Sequence, residues 1–412
     1  MAVNQLCCGL LGKKLSHSYS PEIHSYLGHY TYRLFEKEPQ EIESFLHSGQ
    51  FDAINVTIPY KQDVIPYCAE LSPVAKRLGA VNTIVKRPDG SLLGHNTDYF
   101  GFLSTVKRSG LSITGKKVLV LGSGGASKAV CAVLEDLESQ VIVISRSGEN
   151  NYSNLHLHAD ATMLVNATPV GMYPHNGNSP VNLDQLPNLE GVIDLIYNPA
   201  RTSLLQQAHQ KGLVAMNGLW MLVAQAKESA QWFTGSPLPD DLIGQITCQL
   251  EKQMRNIILI GMPGCGKSTI GKQLAEQLHR TFVDADEEVQ KLAGCEIPAI
   301  FAAHGEEGFR KLETQVLDML GKQSGLVIAT GGGCVTRPEN YPLLHQNGSI
   351  YWVQRDLNTL PTEGRPLSQA TKLTQMYSVR RPLYEKFADY TVNNNAEPES
   401  VVDQITKLEE IP

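Results

Sequence analysis

The sequence has no basic block. Its 35 lysines and arginines are outnumbered by 42 aspartates and glutamates, giving a formal net charge of −7, and the cations are scattered along the chain. A nucleic-acid-binding surface, which draws its affinity from neutralised phosphates, is therefore not expected. Paired cysteines are missing as well. The eight are dispersed, none stands in a CxxC spacing, and Cys7 and Cys8 are neighbours in an apolar run. That argues against a disulfide framework or a thiolate zinc site and for reduced, partly buried thiols. No apolar run is long enough to span a bilayer, and the start, MAVNQLCCGLLGKKLSHS, lacks the basic region of a secretory signal. The expectation is a cytoplasmic protein with neither nucleic-acid nor membrane partners; oligomeric state is left open.

Internal repeats, low-complexity tracts and a Gly/Ser linker are also absent. What is present is an ordinary globular composition, with 42% hydrophobic and 19% charged residues in 412, enough for two or three domains. Residues 1–101 mix short strand-like runs (QLCCGLLG, AINVTIP, AVNTIVK) with helical stretches. From Lys117 the pattern alternates: strand KVLVLG, helix Ala126–Glu138, strand QVIVIS, then TMLVNAT and GVIDLIY. Strand–helix alternation predicts a doubly wound α/β fold with a parallel sheet. Two helical stretches, LWMLVAQAKESAQWF and LIGQITCQLEKQM, then lead into a second α/β unit opened by NIILIG. A tight helical join near 253 is expected between the two.

Two glycine loops carry the clearest chemistry. In VLVLGSGGASKAV, Gly122 and Gly124 permit a sharp turn after a strand, and Gly122, Ser123, Gly124, Gly125 and Ala126 would present backbone N–H groups to a pyrophosphate. The third fingerprint position is Ser127. About 20 residues on, where an acidic residue would bind the ribose 2′-OH of NAD, stand Ser145, Arg146 and Ser147. A cation between two hydroxyls suits the 2′-phosphate of NADP(H); the plainer alternative is an exposed arginine after a strand. In the second loop, Gly261 to Thr269 reads GMPGCGKST and follows a strand. Gly261, Gly264, Cys265, Gly266 and Thr269 would supply the phosphate cradle, Lys267 would reach the β/γ oxygens and Ser268 would ligate Mg²⁺. Asp284 and Asp286 in FVDADEEV fall two apart at a strand end, so one can join the metal shell while the other takes an acceptor hydroxyl proton. The loop alone does not separate a kinase from other nucleotide-binding proteins.

Polar clusters surround these loops: SHSYSP, NVTIPYK, GAVNT, NTD, GSGGAS, NATPVGM, DLIYNP and NGLWMLVAQA. Singly each has an ordinary explanation as a cap, a strand end or a solvated lysine. In this order, residues 1–250 resemble shikimate dehydrogenase. The resemblance implies a substrate domain of residues 1–101 and the 219–250 helices, with a Rossmann-like NADP domain at 102–218. It implies that Lys61 and Asp98 serve the ketone oxygen, and that Ser18 and Ser20 hold the substrate carboxylate. Thr57, Asn82, Tyr197 and Gln225 would bind the ring hydroxyls or carboxylate, and Thr168 and Gly218 the cofactor. Two features depart from the family pattern. Tyr99 and Phe100 follow Asp98 where the family usually reads NTDGxG, and Asn150 stands where a second basic residue is usual.

Residues 253–412 resemble shikimate kinase, through the P-loop, FVDADEEV, GFRKLE, ATGGGCV, GRPL and RRPLYE. By that resemblance Asp286 is the base, Arg310 and Arg380 clamp the shikimate carboxylate, Gly331, Gly332 and Gly333 lie against the ring, and Arg365 belongs to a closing lid. The stretch before GRPL is short and lacks the second arginine usual there. The combined expectation is a bifunctional enzyme. Its first half would reduce 3-dehydroshikimate with NADPH, and its second would phosphorylate shikimate with Mg·ATP. The competing reading is a quinate/shikimate dehydrogenase carrying a degenerate, nucleotide-sensing P-loop domain.

Overall fold

The computed structural model describes residues 5–15, 18–360 and 373–410. Two compact units divide the chain. The first comprises Met1–Val170, Ser179–Tyr197 and Gln207–Thr247; the second comprises Gly171–Asn178, Asn198–Gln206 and Cys248–Pro412.

The chain opens with β1 (Cys7–Gly12), α1 (Ser20–Leu27), β2 (Thr31–Glu36), α2 (Ile42–His47) and β3 (Ala53–Val56). It continues through β4 (Glu70–Leu71), α3 (Pro73–Leu78), β5 (Thr83–Lys86), β6 (Leu92–His95) and α4 (Asp98–Ser109). These strands form a mixed sheet in the order β2-β1-β3-β5-β6-β4. β1 is parallel to β2 and β3, whereas β5 runs antiparallel to both β3 and β6. The antiparallel pairs return the chain so that Asn82, just before β5, and Asp98, just after β6, meet at one end of the sheet.

A second sheet follows: β7 (Lys117–Leu121), α5 (Gly125–Asp136), β8 (Gln140–Ile144), β9 (Met163–Asn166), β10 (Gly191–Asp194), α6 (Ser203–Gln210) and β11 (Val214–Met216). It is wholly parallel, in the order β11-β10-β9-β7-β8. Val118 to Leu121 are fully buried, as expected of a strand covered on both faces. The Val130, Val133 and Leu134 stripe of α5 packs onto this sheet. Because β8 and β9 flank β7 on opposite sides, the strand order reverses there, and the Gly122 turn opens at that switch point. α7 (Leu219–Thr234) then packs along α4, and α8 (Asp241–Met254) leads out.

The second unit contains β12 (Asn256–Ile260), α9 (Lys267–Gln277), β13 (Thr281–Asp284), α10 (Ala285–Ala293), α11 (Ile297–Gly321) and β14 (Leu326–Ala329). After these come α12 (Asn340–His345), β15 (Gly348–Gln354), α13 (Leu373–Phe387), β16 (Tyr390–Asn393) and α14 (Pro398–Glu410). Its sheet is parallel throughout, ordered β13-β14-β12-β15-β16. All five residues of β12 are buried, and β14 and β15 leave it on opposite sides, so the P-loop too emerges at a switch point. Among the described residues no helix is long and apolar enough to cross a membrane.

Two candidate active sites

In the first unit, Lys61 Nζ donates to Asp98 Oδ2 at 2.6 Å, and Asn82 Nδ2 donates to Asp98 Oδ1 at 2.9 Å. The Asp98 side chain is 12% exposed and that of Lys61 21%, so the ion pair is shielded yet reachable. Asp98 opens α4, where the helix N-terminus favours a carboxylate. Asn82 is itself fixed, because its Oδ1 accepts from the Thr97 backbone N–H at 2.7 Å. Thr97 Oγ1 lies 3.4 Å from Gln225 Oε1, bringing α7 into the cluster. The Asp98 N–H donates to Asn96 Oδ1 at 3.1 Å. Asn96 and Thr97 were both inside the NTD motif without being singled out. The signal available was their place immediately before a helix, where short polar side chains cap and orient.

Ser18 Oγ accepts from the Ser20 N–H at 3.2 Å, pairing the two residues at the start of α1. Next to them Tyr19 meets the Tyr197 ring edge-on, with centroids 6.0 Å apart, and burial raises the Tyr197 hydroxyl above its ordinary pKa. Thr57 follows β3 directly and is half-buried.

The dinucleotide turn is built from glycines for two separate reasons. Gly122 has φ +99°, and a Cβ there would press within 2.9 Å of Thr168 Cγ2. Gly124 and Gly125, by contrast, face open space at the N-terminus of α5, and the N-cap residue, Gly124, has no side chain to cap it. Its first N–H groups are therefore free to meet an anion. Ser123 is exposed beside them, Ala126 is half-buried, and Ser127 is buried inside the helix. Thr168 is held by Asn166, whose Oδ1 accepts from the Thr168 hydroxyl at 2.7 Å. Gly218, the residue before α7, lies so close to the Leu195 carbonyl that a Cβ would overlap it. Beyond β8, Ser145 is half-buried while Arg146 and Ser147 are exposed. Asn150 is engaged internally: its Oδ1 pairs with His158 Nε2 at 3.0 Å.

In the second unit, the P-loop runs from β12 to α9 with Gly261, Gly264 and Gly266 at φ +146°, +84° and +99°. Lys267 Nζ curls over it, donating to the carbonyls of Gly261 (3.0 Å) and Met262 (3.1 Å). Cys265 is buried within the loop, and Ser268 and Thr269 are exposed on the first turn of α9. Ser268 Oγ donates to Asp284 Oδ2 at 2.7 Å, giving two oxygen ligands of the kind Mg²⁺ accepts beside a nucleotide. Sequence reasoning placed both aspartates at a strand end. The strand instead stops at Asp284, which caps α10 by accepting from the Asp286 N–H at 3.0 Å, so Asp286 lies in the first helical turn. Both still line one cavity of about 480 Å³, together with Lys267, Arg310 and Arg380. Burial, reinforced by the charge of Asp284, raises the Asp286 carboxyl above its ordinary 3.8, while Lys267 and Arg310 pull the other way.

Arg310, on α11, is 5% exposed and donates through Nη1 to Glu313 Oε2 at 2.7 Å. Glu313 is fully buried, and burial raises its pKa against the pull of Arg310. Its role was missed although it closes GFRKLE; the i,i+3 spacing already placed it on the Arg310 face. Arg380, on α13, donates to the Gly332 carbonyl at 3.1 Å, and Tyr384 one turn on donates to the same oxygen at 2.5 Å. Gly331 and Gly333 admit no side chain. A Cβ on Gly331 would come within 2.5 Å of Glu313 Oε1 and 2.8 Å of Asp286 Oδ1, and one on Gly333 would overlap the Arg310 guanidinium. Arg355 is exposed. Arg365 lies outside the described residues.

The first unit is thus a dinucleotide-type oxidoreductase scaffold with a lysine–carboxylate pair, and the second a P-loop phosphotransferase scaffold with an acidic and cationic cavity. Comparison with known proteins sharpens both. A family model for the shikimate dehydrogenase substrate binding domain matches residues 10–84, and one for shikimate kinase matches residues 263–409. The NADP(+) shikimate dehydrogenase of Clostridium beijerinckii is 38% identical over 238 residues, covering 53% of this chain and 88% of that protein. Among solved structures, a chorismate mutase/shikimate 5-dehydrogenase fusion protein from Clostridium acetobutylicum is 34% identical, with a TM-score of 0.58. The match covers 61% of this chain and 98% of that one. Shikimate 5-dehydrogenase from Thermus thermophilus, solved with NADP(H) and shikimate, is 29% identical with a TM-score of 0.55 and covers 60% and 99%. The chain belongs to the shikimate dehydrogenase family and carries a shikimate kinase domain at its C-terminal end. It is an enzyme of the shikimate pathway with an oxidoreductase and a kinase domain.

Proposed function

We propose that the chain catalyses two consecutive steps: NADPH-dependent reduction of 3-dehydroshikimate to shikimate by residues 1–252, and Mg·ATP-dependent phosphorylation of the shikimate 3-hydroxyl by residues 253–412. NADP(H), when bound, supplies the hydride. The glycine cradle at Gly122–Gly125, the uncapped α5 terminus and the exposed Arg146 fit it. Lys61 stabilises the ketone oxygen as charge develops and delivers its proton; Asp98 holds the ammonium and accepts from a ring hydroxyl; Asn82 keeps that carboxylate in place. The Ser18–Ser20 pair receives the substrate carboxylate through neutral hydroxyls. Thr57, Tyr197 and Gln225 read the remaining polar groups, and an analogue lacking one of them leaves a partner unpaired.

Mg·ATP, when bound, supplies the phosphoryl group, and the positive-φ glycines with the Ser268–Asp284 oxygens fit it. Lys267 neutralises phosphate charge. Asp286 orients and deprotonates the acceptor hydroxyl, a task for which a raised pKa makes it a stronger base once ionised. Arg310 and Arg380 hold the acceptor carboxylate, each contributing roughly 1.5–3 kcal/mol in a shielded site. The observation that carries the kinase reading is the convergence of Lys267, Asp286, Arg310 and Arg380 on one cavity, where a nucleotide sensor would need only the first. Purified full-length protein should oxidise NADPH with 3-dehydroshikimate and, separately, release ADP with shikimate. ADP release absent with shikimate would leave the second unit a nucleotide-binding module.

A further inference from the structure

Three asparagines in a row, Asn393 to Asn395, end β16 and begin the turn into α14. The middle one is 4% exposed, and its Nδ2 donates to the carbonyl of Cys265, inside the P-loop, at 2.7 Å. Its Oδ1 has no hydrogen-bond partner among the described residues, and the amide cannot be reversed, since that would set Oδ1 against another acceptor. Gly266 makes room for it: a Cβ there would overlap the Asn394 amide nitrogen. The turn behind the amide is anchored on its far side. The Asn394 N–H donates to the Gln354 carbonyl at 2.7 Å. Asn395 and Asp356 bond each other twice, from the Asp356 N–H to Asn395 Oδ1 (2.8 Å) and from Asn395 Nδ2 to Asp356 Oδ1 (3.0 Å).

A phosphate-binding loop works by turning backbone N–H groups toward the anion. A peptide unit is planar and trans, so the carbonyl of one residue points opposite to the N–H of the next. Fixing the Cys265 carbonyl therefore fixes the direction of the Gly266 N–H. We propose that Asn394 is a positioning residue of the kinase, holding the Cys265–Gly266 peptide so that the Gly266 N–H faces the nucleotide phosphates. The proposal rests on the P-loop binding ATP for phosphoryl transfer, and it assigns Asn394 an effect on nucleotide alone.

The test uses the full-length chain with Asn394→Asp, which keeps the shape and replaces the donor by an acceptor, and Asn394→Leu, which removes the donor without charge. Calorimetric titration with Mg·ADP is expected to show binding weakened roughly 5- to 100-fold in both variants, with a matching rise in KM for ATP. KM for shikimate and the NADPH-dependent rate should stay within about twofold, which a general loss of folding would not allow. Unchanged Mg·ADP affinity in either variant overturns the proposal, and so does an equal decline in the ATP and shikimate constants. A wild-type protein that binds Mg·ADP but does not phosphorylate shikimate contradicts the kinase reading while the titration still decides the role of Asn394. A wild-type protein that binds no Mg·ADP overturns both.

Discussion

Replacing Gly333 by alanine is a one-methyl perturbation whose outcome can be worked from the structure. Gly333 has φ −106°, which any residue adopts, so the backbone offers no objection. The added methyl instead overlaps the Arg310 guanidinium. Arg310 has no easy retreat, because its Nη1 bond to the fully buried Glu313 would have to break, leaving a buried charge unpaired. Either the arginine or the glycine turn must therefore shift, and the acceptor carboxylate loses one charge-assisted contact. At about 1.5–3 kcal/mol for such a bond, KM for shikimate should rise roughly 10- to 150-fold. Kinase initial rates with shikimate varied at saturating Mg·ATP, then the reverse, separate this from nucleotide binding. KM for ATP and the dehydrogenase rate should stay within about twofold of wild type. The double variant with Arg310→Ala decides the cause: once the guanidinium is gone, alanine at 333 should add almost nothing. A near-wild-type KM, or a full additional loss on the Arg310→Ala background, would refute the reasoning.

Other perturbations should separate the two sites. Lys61→Ala should slow reduction of 3-dehydroshikimate by about 100-fold or more while leaving phosphorylation intact; a wild-type reductase rate removes Lys61 from the mechanism. Asp286→Asn should do the reverse, and kinase turnover unchanged by it would remove Asp286 as the base. Arg146→Ala should raise KM for NADPH by roughly 10-fold and barely change that for NADH, as steady-state rates with both cofactors would show. Stability should also depend on pH. Burial lowers His24 from 6.5 to about 3 and His95 to about 4, so the unfolded chain takes up protons that the folded one refuses. Stability is lost as pH falls below 6.5, by roughly 2 kcal/mol at pH 5 for His24 alone. Urea unfolding of His24→Phe followed at pH 7 and pH 5 should show a shallower loss than wild type.

The parts of both sites that were legible in the sequence are those whose chemistry is local. Glycines at Gly122, Gly261, Gly264 and Gly266 mark turns that other residues resist, and the aliphatic runs before them mark buried strands. Lys61 and Asp98 are 37 positions apart, and only the order of family-like motifs brought them together. Glu313 was hidden because an arginine and a glutamate three apart on a helix usually form a surface ion pair worth little; nothing local reveals that α11 turns this pair inward. Asn394 had no local signal either, since its partner, Cys265, lies 129 residues earlier and a turn asparagine usually bonds its own backbone. The grouping of Gly171–Asn178 and Asn198–Gln206 with the second unit was equally silent, for it depends on tertiary packing alone.

The central claim is that the product of the first unit is the substrate of the second. It is tested most directly by incubating the purified chain with 3-dehydroshikimate, NADPH and Mg·ATP and quantifying products by mass spectrometry. Shikimate 3-phosphate should accumulate, with NADPH consumed and ADP released in equal amounts for each molecule formed. Shikimate accumulating unphosphorylated in the presence of Mg·ATP, or no consumption of NADPH at all, would contradict it.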